Sequence, residues 1–116
     1  MTIKEFYEAI GENYDEILNR FMTPERITKY VRMFTMDDSF KNLEVSLLSK
    51  DYDLAFRMVH TLKGVSANLG FMKLYDKSVV LTELLRNKEF DSDLMTPFVA
   101  IKDEYTKIME AIGQLA

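Results

Sequence analysis

Apolar residues recur along this chain at spacings of three and four, the period of an α-helix and not the alternation of a strand. Ile3, Phe6, Tyr7 and Ile10 keep that spacing, Gly11 interrupts it, and Tyr14, Ile17, Leu18 and Phe21 resume it. Thr23-Pro24-Glu25 reads as an N-cap, an N1 proline and a first-turn acid. It predicts a helix with Ile27, Val31 and Phe34 on one side. Asp37-Asp38-Ser39 predicts a break and a fresh cap, before a short helix through Phe40, Leu43 and Leu47. After a tight connection at Ser49-Lys50-Asp51, a long helix is expected from Asp51 to about Leu69, with Gly70 as its stop. Leu74, Ser78, Leu81 and Leu85 mark the next helix, which the polar stretch 87–93 ends. The last helix has the cleanest period: Leu94, Phe98, Ile101, Tyr105, Ile108, Ile112 and Leu115. Thr96-Pro97 either caps it or falls within its first turn. Short connections between long helices favour antiparallel neighbours. The expected fold is therefore all-α: an up-down antiparallel four-helix bundle with additional short N-terminal helices, a single domain over residues 1–116.

Composition narrows the function classes. With 47% apolar residues among 116, the chain can bury a core, and 29% charged residues do not indicate disorder. The net charge of −4 argues against nucleic acid as a partner, which would call for a basic excess. The absence of cysteine excludes disulfides, thiolate metal sites and cysteine nucleophiles. Lys4, Glu5 and Glu8 break the apolar run a signal peptide needs, and no stretch approaches the roughly 20 apolar residues of a membrane span. The expectation is a soluble cytoplasmic protein without a membrane partner. Met1 followed directly by domain-like sequence gives the expectation of a complete, free-standing protein.

The long central helix carries the only histidine. At about 100° per residue, Leu54, Met58, Leu62, Val65 and Leu69 share a narrow arc, the expected core face. His60 falls nearly opposite. Phe56 and Gly64 lie one turn to either side of it, with Arg57, Lys63 and Ala67 close by. Gly64 inside a strong helix costs about 1 kcal/mol relative to alanine, and core packing does not account for it on an outward face. An outward Phe56 beside a small-residue gap has the character of a docking surface. Taken singly, a surface histidine, a helix glycine and two solvated cations are ordinary. Together they supply a nucleophile, a cation and free space, which a displayed phosphate acceptor would need. A neutral imidazole nitrogen attacks phosphorus competently, and Arg57 and Lys63 would balance the charge gained. The chain has no nucleotide loop and no visible carboxylate cluster for a metal.

The segment His60-Thr61-Leu62-Lys63-Gly64-Val65-Ser66-Ala67-Asn68-Leu69-Gly70 closely resembles the signature of histidine-containing phosphotransfer domains: a histidine, lysine three on, glycine four on, small residues, and a closing glycine. The resemblance implies that His60 is the phosphoacceptor, that Lys63 orients or balances the phosphoryl group, and that Gly64 leaves room for a partner's active site. Phe56, Arg57 and Ala67 would then border the docking surface. It further implies a phosphorelay intermediate in two-component signalling, not an enzyme with its own site. The partners would be receiver domains of response regulators and hybrid sensor histidine kinases. No cofactor or metal would be bound by the chain itself; magnesium would sit on the partner receiver. One complete bundle implies a monomer. Two other readings are a helical interaction module that binds a receiver without being phosphorylated, and the phosphoacceptor substrate domain of a chemotaxis-type kinase. Local likeness covers about residues 51–86.

Overall fold

A computed structural model describes residues 1–116. Seven helices and no strand make up the chain: α1 (Ile3–Ile10), α2 (Tyr14–Phe21), α3 (Pro24–Phe34), α4 (Ser39–Leu48), α5 (Tyr52–Leu69), α6 (Met72–Arg86) and α7 (Met95–Ile112). Side-chain oxygens start most of them. The Thr2 hydroxyl accepts from the Glu5 amide while the Glu5 carboxylate accepts from the Thr2 amide, a reciprocal capping box. Asn13, Thr23 and Asp51 cap α2, α3 and α5 by accepting from the amides of Glu16, Arg26 and Leu54, and Pro24 opens α3. At α7 the Asp93 carboxylate accepts from the amides of Met95 at 3.1 Å and Thr96 at 3.0 Å. Pro97 therefore lies inside the first turn, where its missing N–H has no intrahelical role.

Helices α4 to α7 form the four-membered bundle. Helix α5 packs between α4 and α6, and α6 packs on α7. Phe40 of α4 closes the ring by stacking on Tyr105 and Phe98 of α7, with centroids 4.1 and 5.6 Å apart. The three short helices gather at the end of the bundle where α5 finishes. There Phe6 and Phe34 pack edge-on against Phe71, and Tyr7 joins the same aromatic cluster.

That N-terminal cluster caps α5, whose last carbonyls lack intrahelical donors. The buried Tyr7 hydroxyl donates to Leu69 O at 2.6 Å. Arg20 donates to Ala67 O at 2.9 Å and Asn68 O at 2.6 Å. Gly70 ends the helix at φ +74°, and a Cβ there would meet Ile17 Cγ1 at 2.6 Å. Its closing role thus rests on both backbone conformation and space.

The core face of α5 differs from the sequence expectation. The buried residues are Ala55, Val59, Leu62, Ser66 and Leu69, while Leu54, Met58 and Val65 are only half-buried. The arc is turned by about 60° at 100° per residue. Large side chains drew the expected arc, whereas the buried face includes the small residues Ala55 and Ser66. The Ser66 hydroxyl is buried there because it donates to Leu62 O at 2.7 Å. With this rotation Gly64 stands at the centre of the outward face and His60 to one side of it.

Candidate functional site

Capped at Asp51 and again beyond Leu69, α5 presents its middle turns as a rigid outward surface. His60 is exposed. Its ring stacks on Phe56 one turn earlier, with centroids 6.0 Å apart and planes at 28°. The imidazole takes no part in the ion pairs of the chain, and the nearest side-chain hydrogen bond, Thr61 Oγ1 to Arg57 O at 3.0 Å, bypasses it. Both ring nitrogens are therefore free.

Two cations flank it on the same helix. Arg57 is exposed and Lys63 half-buried. The three ion pairs of the chain are Lys77–Glu104, Arg86–Glu83 and Lys102–Glu44, so neither Arg57 nor Lys63 is neutralised by an acid. Gly64 is exposed, and a Cβ built on it meets nothing within 4 Å. The surface over the turn after His60 is open, and no neighbouring helix requires the glycine. Ala67 is half-buried, next to the carbonyls that Arg20 caps.

Phe56 is half-buried and not fully displayed. It sits in a groove of about 360 Å³ between α5 and the end of α6, lined also by Tyr52, Arg57, Leu85, Arg86 and Phe90. Tyr52 and Phe90 stack at 4.4 Å along it. The Arg86 guanidinium lies 5.6 Å from the Phe56 ring centroid, with its Nε 3.4 Å from Glu83. The sequence reading missed Arg86. It stands 26 residues from His60, and only the register of α6 against α5 brings it near. Nowhere do three or more His, Asp or Glu side chains converge as metal ligands, and no helix is long and apolar enough to cross a membrane.

A lone, unpaired imidazole between two free cations, beside a clear patch of surface, can take up and hand on an anionic group. No curated protein and no solved structure matches the chain significantly. A family model described as Hpt domain matches residues 32–113, from the last turn of α3 through α7. The match is wider than the local motif and takes in the whole four-membered bundle. The chain belongs to the Hpt domain family, phosphocarriers of histidine phosphotransfer in two-component signalling.

Proposed function

We propose that His60 accepts a phosphoryl group from the phosphorylated aspartate of one receiver domain and donates it to another. A ring nitrogen attacks phosphorus, the N–P bond forms, the P–O bond to the aspartyl carboxylate breaks, and the imidazole proton passes to solvent. The reverse sequence returns the group. Such transfers depend chiefly on positioning and charge. Magnesium, which offsets the phosphoryl charge, belongs in this scheme to the receiver. Lys63, free of any acid, balances the charge that His60 gains, and Arg57 does so at longer range. Gly64 lets the receiver's pocket close over the imidazole, while Phe56, Arg57 and Ala67 border the docked partner. Response regulators and a hybrid sensor histidine kinase carry the partner receiver domains, the relay operates in the cytoplasm, and residues 1–116 act as a single monomeric domain.

The observation that carries this reading is the exposed His60 imidazole with both nitrogens free, next to the open surface over Gly64. Incubation with a phosphorylated receiver domain should add one phosphoryl group by intact mass, labile in acid and stable in base. Incubation with labelled ATP alone should add none. Binding of the receiver without any mass increase would leave only an interaction module and refute the relay.

A further inference from the structure

His60 is exposed and hydrogen-bonded to nothing, yet transfer requires its nitrogen in line with phosphorus. A surface histidine in that state ordinarily samples several rotamers. Beside this one lies an aromatic face. Phe56 and His60 are an i, i+4 pair on α5, the spacing at which helical side chains meet. Their rings stack at 6.0 Å and 28°. Phe56 in turn is seated from α6. The Arg86 guanidinium lies 5.6 Å from its ring centroid, and Glu83 holds Arg86 at 3.4 Å. Leu85 and Phe90 line the same groove.

We propose that Phe56, seated by Arg86, is a positioning residue that holds the His60 imidazole in one orientation for phosphoryl transfer. The chemistry favours stacking over a hydrogen bond for this task. The nitrogen lone pairs of imidazole lie in the ring plane, so contact through the ring face fixes the ring without occupying a nucleophilic atom. A hydrogen bond donated to the attacking nitrogen would occupy the lone pair that forms the N–P bond. The arrangement also ties the phosphoacceptor to α6, so a shift of that helix against α5 would change its reactivity. This role rests on His60 being the phosphoacceptor and is distinct from docking, because it acts on the imidazole before any partner arrives.

A small donor separates the two. Phosphoramidate delivers its phosphoryl group directly: the imidazole N–P bond forms, the donor P–N bond breaks, and ammonia leaves with the proton. As the sole histidine, His60 also gives one pair of ring C–H signals in NMR. Phe56→Leu keeps apolar bulk without a ring, Phe56→Tyr keeps the ring, and Arg86→Gln removes the guanidinium at a half-exposed position. In Phe56→Leu the His60 ring protons should lose their ring-current shift, and the rate with phosphoramidate should fall about 3- to 10-fold, the scale of one aromatic contact. Phe56→Tyr should restore both, and Arg86→Gln should lie between. Wild-type shifts and rates in Phe56→Leu would overturn the positioning role alone. A wild type that takes no label from phosphoramidate or from a receiver would overturn the phosphoacceptor reading, and this role with it.

Discussion

Replacing Gly64 by glutamine separates a docking role from a structural one, because the two predict opposite signs for stability. The glycine sits in the interior of α5, exposed, and its added Cβ would touch nothing within 4 Å. No packing penalty therefore offsets the gain in helix propensity, which is about 0.5–1 kcal/mol for glycine to glutamine. For a domain of this size that corresponds to a rise of roughly 2–5 °C in melting temperature. The same side chain stands one turn from His60 on the face that a receiver must cover. Donor and acceptor have to approach to roughly 3–3.5 Å, and a misplacement of about 1 Å can cost on the order of 10²-fold in rate. Gly64→Gln should thus melt higher while transferring from a phosphorylated receiver at least tenfold more slowly. Gly64→Ala should gain similar stability with a much smaller loss of rate. Thermal unfolding and transfer kinetics on one preparation decide the matter. A variant that melts clearly lower would show that Gly64 is needed for packing. One that transfers at the wild-type rate would show that the receiver does not approach over that turn.

Lys63→Ala should slow transfer about two- to fivefold at low salt, the scale of one exposed charge interaction. Arg57→Ala should have a smaller effect, and both should fade at high salt; equal rates at low salt would remove the electrostatic role. Tyr7→Phe deletes the donor to Leu69 O and should cost about 1–3 kcal/mol in urea unfolding, since it leaves a buried carbonyl short of a partner. An unchanged midpoint would show that the N-terminal cap does not stabilise α5. Hydrogen bonds from the Thr96 hydroxyl and then the Thr96 amide hold the Asp93 carboxyl below its ordinary range. With the folded value depressed, this contribution is present above the usual aspartate range and is lost as pH falls through the folded value. Asp93→Asn should therefore melt lower than wild type near neutral pH, with the difference shrinking in acid. A difference independent of pH would refute that assignment.

The helices and their caps were largely legible because their signals are local. Thr23-Pro24 and Gly70 act where the chain places them, and Asp51, expected as the first helical residue, is the N-cap one position before it. Four of the seven helices form the expected bundle, and the short ones lie at one end of it. The exposure of His60 and the open space at Gly64 were legible for the same reason: one helical turn relates them. What the sequence hid depends on contacts between distant segments. The true core face of α5 is hard to read from sequence because Ala55 and Ser66, both fully buried, carry little hydrophobic weight. The capping of α5 by Tyr7 and Arg20 spans 62 and 47 residues, and periodicity says nothing of it. The half-burial of Phe56 and its contact with Arg86 follow from the register of α6 on α5, which no local pattern encodes.

The central claim is that one imidazole carries the phosphoryl group. Its most direct test compares wild type with His60→Gln, both incubated with the same radiolabelled, phosphorylated receiver domain and then separated from it. His60 is exposed and absent from the core, so the variant should fold as wild type does. Acid-labile label is expected on the wild type and none on the variant. Label on a folded His60→Gln protein would contradict it.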